Sequence, residues 1–204
     1  MALDEAAKAE RRALLAEALV PERFNNLPLS KQGAQGKLLR EYVKQDYVRD
    51  AVTGTGAIVV HNKPGLAHSF TRDIVIGGAS VGVYYLQTFA NKFAANDFVM
   101  PQSFVLEWFE QEGVPSPFSG SERYRLETAI SQMIDDGILF YVFTSVTPVV
   151  SQWWSRNFTE LLLDNCRLIE VKNAAEPSNK RTPVSPRKDK GQENPKASKR
   201  VLVR

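Results

Sequence analysis

Wound as a helix at about 100° per residue, the chain places Ser121, Tyr124, Arg125, Thr128 and Gln132 on one face, with Ser131 and Asp135 beside them. Hydroxyl, amide and guanidinium groups at such spacing can hydrogen-bond base edges or a partner's polar surface. This face is therefore the first candidate for recognition. Glu127, Asp135 and Asp136 lie on the same segment and would repel phosphate, so a protein partner suits the face as well as nucleic acid does.

The second candidate is electrostatic. From Asn173 onward there are nine Lys/Arg against three acids, a net +6, while the whole chain carries +3. Residues 1–172 are thus −3, and affinity for phosphate is expected from the tail, chiefly Lys180, Arg181, Arg187, Lys188, Lys199 and Arg200. Ser185-Pro186-Arg187-Lys188 has the Ser-Pro-x-Lys form favoured by proline-directed kinases, and Thr182-Pro183 is a second such site. Each phosphate would add about −1.5 to −2 charge and loosen a tail held on an acidic partner. The basic clusters at 187–190 and 199–204 are candidate nuclear addresses.

Catalytic and cofactor motifs are weak by comparison. Ile74 to Gly82 resembles a dinucleotide fingerprint, with Ala79 in place of a glycine, but no second strand ending in an acid follows at the needed distance. Close backbone packing at a tight turn explains it better. Gly33-Ala34-Gln35-Gly36-Lys37 has Leu38 where a phosphate loop needs Ser or Thr, and Lys31 where it needs glycine. His61 and His68, the only histidines, make no metal-ligand spacing with the single cysteine, Cys166, and a surface turn accounts for both. The expectation is a non-enzymatic chain with no catalytic residue, metal or cofactor.

Elements must position these groups. Residues 2–19 favour helix and carry a thin apolar stripe, ended by Pro21; residues 21–36 read as loop, and a helix spans Lys37 to Val52. Ala57–Val60 and Asp73–Ile76 read as strands of a β-ribbon around the turn His61-Asn62-Lys63-Pro64-Gly65. There follow a helix over Ala79–Ala95, a strand at Phe98-Val99-Met100 and a helix over 102–112. A capping box at Ser119-Gly120-Ser121-Glu122 opens a helix ended by Gly137, and the strand Ile138–Phe143 follows. Val149–Asn165 should be helical, with Leu168–Val171 a last strand. Beyond Asn173, large apolar residues almost vanish, so disorder is expected there.

With 204 residues, 43% hydrophobic and 24% charged, the composition is that of a soluble globular protein. One cysteine excludes an internal disulfide and fits an intracellular setting, and the N-terminus lacks the layout of a secretory signal. Ile74–Asn91 and Gly137–Ser155 contain no charge and approach the length of a bilayer span, but polar residues and Pro148 interrupt them, so a membrane is not expected.

The order of elements from Ala79 to Val150 resembles a winged helix. The expected fold is therefore α+β and helix-rich, a single domain with a winged-helix-like centre at 79–172, an N-terminal helix at 1–20, a helix plus β-ribbon at 21–78 and a disordered basic tail at 173–204. The expected function is a nucleic-acid-associated binding subunit, nuclear in a eukaryote. The alternatives are a protein adaptor, a structural subunit of a larger assembly, or a membrane-associated hairpin. Partners would be nucleic acid or another protein subunit, with a homo-oligomer open. Trp153, Trp154 and the N-terminal helix are candidates for a partner surface.

Overall fold

Four short segments that are apolar on both faces build the centre of the molecule. In the computed structural model, which describes residues 2–95, 103–111 and 114–172, they are β1 (Gly56–Val60), β2 (Gly82–Tyr85), β3 (Ser103–Trp108) and β4 (Leu139–Thr144). β5 (Cys166–Glu170) joins them in one sheet, in the order β2-β3-β4-β1-β5, with every neighbouring pair parallel. Parallel strands need long crossovers, and helices on both faces then bury the sheet.

Two apolar layers result. On one face Ala57, Val59, Val83, Val105, Tyr141 and Phe143 meet α1 (Ala2–Glu17), α2 (Gly33–Gln45) and α4 (Leu66–Ile76) through Leu15, Leu39 and Phe70. On the other, Ile58, Phe104, Leu106, Phe140 and Val142 meet α5 (Leu86–Ala94), α6 (Gly120–Asp135) and α7 (Arg156–Asn165) through Phe89, Ile130 and Phe158. A short helix, α3 (Tyr47–Val52), follows α2, and its Asp50 is clamped by Arg167 of β5.

This architecture is α/β, so the helix-rich α+β fold with a winged-helix centre is overturned. Residues 82–85 are a strand, with helix only from Leu86. Residues 103–108 are a central strand where a helix was expected. Val105 and Leu106 match an inward helical face, yet each packs into a different layer, because a strand buried on both sides need not alternate. The β-ribbon also falls: Asp73–Ile76 form the last turn of α4, whose buried Leu66, Phe70 and Ile74 keep helical spacing. The strand expected at Phe98-Val99-Met100 and the tail from Asn173 lie outside the described residues.

The local signals around α6 hold. The capping box at Ser119 is formed in both directions, and Gly137 follows α6 with φ of 80°. The last helix starts later than Val149, at Arg156, where the Ser155 side chain accepts from Phe158 N–H. Among the described residues no helix is long and apolar enough to cross a membrane. The two uncharged windows are divided among short helices, strands and turns.

Candidate functional site at the tips of the parallel strands

In open parallel sheets the crevice for ligands lies beyond the carboxyl ends of the strands, where successive crossovers leave on opposite faces. Here α4 leaves β1 on one face while α7 leaves neighbouring β4 on the other. The residues at these tips are therefore the ones placed to act.

Register brings Tyr85, Glu107, Phe143 and Val59 into one row across β2, β3, β4 and β1. His61 follows β1, its N–H donating to the Thr144 carbonyl at 2.8 Å. His61 and Glu107 are 0% and 1% exposed, and His61 Nε2 stands 3.9 Å from Glu107 Oε1. Burial pushes the Glu107 carboxyl up to about 7, partly offset by the nearby Tyr85 hydroxyl. Neither Glu107 oxygen has a hydrogen bond of good geometry, so the Tyr85 influence is one of proximity. Burial lowers His61 to about 4, and its Nδ1 lies 3.0 Å from the Lys63 carbonyl oxygen. His68, on α4, is also lowered to about 4, first by burial and then by the Arg23 charge, and its Nε2 is 3.1 Å from the Tyr85 hydroxyl.

The loop from β1 to α4 is held down by the segment before α2 and by the first turn of α2. Lys63 donates its ammonium to the Gln32 carbonyl at 2.8 Å, the Gln32 amide donates to Ser69 Oγ at 2.7 Å, and Gln35 bonds Asn62. The Phe24 ring sits against Gly65, where a Cβ would come within 2.4 Å of it, and stacks obliquely on His68 at 4.7 Å. On the other side of β1, a cavity of about 470 Å³ opens among Val60, Glu110, Ser145, Val150, Glu170 and Lys172.

The residues singled out from sequence are elsewhere. Ser121, Tyr124, Arg125, Thr128 and Gln132 are all exposed along α6. Their polar groups turn locally: Ser121 to Ser119, Thr128 to the Tyr124 carbonyl and Gln132 to Asp136. Glu127, expected to repel phosphate, instead accepts from the N–H and hydroxyl of Ser155 at 2.6 and 2.8 Å. Trp154 is core, against Trp108 and Phe158, while Trp153 is half-buried and donates to the Val114 carbonyl. Lys180, Arg181, Arg187, Lys188, Lys199, Arg200, Thr182 and Ser185 lie outside the described residues.

The surface-turn reading of His61 and His68 is corrected: both are buried, because the helix after the turn folds back over the sheet. Glu107 was missed altogether. A usable signal was present: an apolar strand, a Pro-Gly turn and an amphipathic helix, and further on an apolar run, Phe104–Trp108, interrupted by one acid. Gly77 and Gly78 follow α4 and precede β2, so the fingerprint-like run links helix to strand, the reverse of what a dinucleotide turn requires.

No family model matches the chain, and no curated protein matches it. Solved structures do match in shape. One is the crystal structure of a DNA replication initiation factor, with a TM-score of 0.51, 13% identity, and coverage of 72% of this chain and 50% of that one. The structure of DnaI gives 0.53 at 8% identity, covering 74% and 91%. The replication initiator DnaA bound to AMPPCP and single-stranded DNA gives 0.52 at 10% identity, covering 74% and 50%. The chain thus spans about half the length of the initiation factor and of DnaA.

At such identities the likeness establishes the fold alone, a parallel α/β architecture. The shared parallel sheet overturns the expectation of a non-enzymatic binding subunit built on a winged helix.

Of the matching structures, DnaA is bound to AMPPCP, so the question for the β1–α4 crossover is whether it fits a nucleoside triphosphate with magnesium. A phosphate loop there uses glycine amides, a lysine and a Ser/Thr hydroxyl at the start of the helix. This chain has His61-Asn62-Lys63-Pro64-Gly65, and α4 opens with Leu66-Ala67, both fully buried. Pro64 has no amide hydrogen. Magnesium keeps several waters, and Glu107 is walled from solvent. The residues present do not fit the group.

Proposed function

We propose that the chain serves the initiation of DNA replication, as an intracellular factor that engages single-stranded DNA and a second protein subunit. One observation carries the reading. The five-stranded parallel sheet in the order β2-β3-β4-β1-β5, with its flanking helices, superposes on replication initiators over about three quarters of the chain, among them a DnaA holding single-stranded DNA.

The chain's own charge supports the same assignment. Residues 1–172 carry −3, so DNA affinity resides in Lys180, Arg181, Arg187, Lys188, Lys199 and Arg200. The exposed face of α6, with Ser121, Tyr124, Arg125, Thr128 and Gln132, supplies stacking and hydrogen bonds. Phosphate on Thr182 or Ser185 would weaken the complex by cancelling positive charge.

Fluorescence anisotropy of the full chain with a labelled single strand, and with a duplex of equal length, tests this reading. The single strand should bind more tightly, with affinity falling steeply as salt rises. Replacing Lys180, Arg181, Arg187 and Lys188 by glutamine should flatten the salt dependence, and Tyr124→Ala should weaken binding at every salt concentration. Absence of binding at low salt, or affinity indifferent to both sets of changes, overturns the proposal.

A further inference from the structure

We infer that the β1–α4 crossover of this chain is closed to the phosphate–magnesium group of a nucleoside triphosphate, its place being filled by the buried pair His61 and Glu107. Four observations converge on this.

The first is space. His61 is 0% and Glu107 1% exposed at the point where the crossover turns over the tip of β3. The His61 ring is further wedged between Phe109 and Phe143, with centroids 5.3 and 5.5 Å away.

The second is the backbone. A phosphate cradle needs several amide N–H groups directed into the loop. Pro64 contributes none, the Leu66 N–H is spent on the Lys63 carbonyl at 3.3 Å and the Ser69 N–H on the Gly65 carbonyl at 3.1 Å.

The third is charge. Lys63 is the one cation between β1 and α4, and its ammonium is tied back to Gln32. A triphosphate there would face the Glu107 carboxyl with that single lysine as counter-charge.

The fourth is the cover. Phe24 lies on Gly65 and His68, and Leu29 N–H donates to Asp73 of α4 at 3.1 Å, so the segment before α2 is fastened at both ends of the crossover helix. The open space at the sheet's edge is displaced to the cavity of about 470 Å³ among β1, β4 and β5, which His61 and Glu107 do not line.

The test uses the full chain with a fluorescent N-methylanthraniloyl-ATP and Mg²⁺, followed by anisotropy, and hydrogen exchange over residues 61–69 with Mg-ATP. Two anisotropy outcomes support closure: no saturable signal, or an affinity that Lys63→Ala and His61→Gln leave within about twofold. A loss of about tenfold or more on either substitution overturns it. Should a variant fail to fold, exchange on the unaltered chain decides: unchanged protection at 61–69 supports closure, and slowed exchange overturns it. Binding of single-stranded DNA is measured separately and stands or falls without reference to this result.

Discussion

His61 Nε2 and Glu107 Oε1 lie 3.9 Å apart with both side chains shut away from water, too far for a hydrogen bond and too dry for an ion pair. Between about pH 4 and pH 7 both groups are neutral. Burial holds the imidazole at about 4 and lifts the carboxyl to about 7.

That pairing makes stability depend on pH in opposite directions. The folded Glu107 value of about 7 lies above its ordinary 4.5, so its stabilisation is complete below pH 4.5 and is lost as pH rises through 7. His61 and His68 lie near 4 against 6.5, so their stabilisation is present above 6.5 and lost as pH falls toward 4. Glu107→Gln removes the first limb alone. Between pH 4.5 and pH 8 the variant should gain on the parent chain by on the order of 3 kcal/mol, read from urea unfolding at each pH. An offset that does not change with pH would mean that Glu107 is ionised in the folded chain.

Phe70 is the centre of the α4-side layer, fully buried and ringed by Tyr47, Tyr141 and Phe143 at 6.3, 5.3 and 5.3 Å. Phe70→Ala leaves a cavity that the sheet cannot close, and a loss of about 3–5 kcal/mol in urea unfolding is expected. A loss under 1 kcal/mol would show that α4 is not seated on β1, β3 and β4.

Glu127 joins two helices by accepting both hydrogen bonds from Ser155, the residue that caps α7. Glu127→Ala should destabilise the fold by about 1–3 kcal/mol, since it leaves the N–H and hydroxyl donors of Ser155 without their charged acceptor. Ser155→Ala should add about 1 kcal/mol to it, because it also removes the acceptor of the Phe158 N–H, but the double loss should fall short of the sum because the hydroxyl bond is shared. Additive losses would separate them.

Local signals were legible where local chemistry decides. The Ser119 capping box, Gly137 after α6 and the β-branched run at β1 were each read correctly, because each depends on residues a few positions apart. Sheet order was not legible. A parallel sheet is assembled from strands tens of residues apart, and the central strands β3 and β4 show no alternation because both their faces are buried. The short run at 103–108 fitted a helical face as well as a strand. Its Glu107 gains its neighbours only from the register, which sets it beside Tyr85 and Phe143. His61 and His68 were misjudged for a related reason. A Pro-Gly turn usually lies on the surface, but here Phe24 and the start of α4 cover it.

Gly65 and Phe24 allow the cover of the crossover to be tested as a pair. Gly65 has φ of 80°, a conformation that strains any other residue, and a methyl group there would meet the Phe24 ring at 2.4 Å. Gly65→Ala therefore carries two penalties: about 1–2 kcal/mol for the backbone and about 1–3 kcal/mol for the displaced ring. Phe24→Ala alone loses buried apolar surface, about 3–5 kcal/mol. With the ring already gone, the added methyl group should bring only the backbone penalty. The double variant should accordingly be more stable than the sum of the single losses by about 1–3 kcal/mol, as urea unfolding of the four chains would show. Strict additivity would mean that Phe24 does not rest on Gly65 and that the loop between β1 and α4 is uncovered.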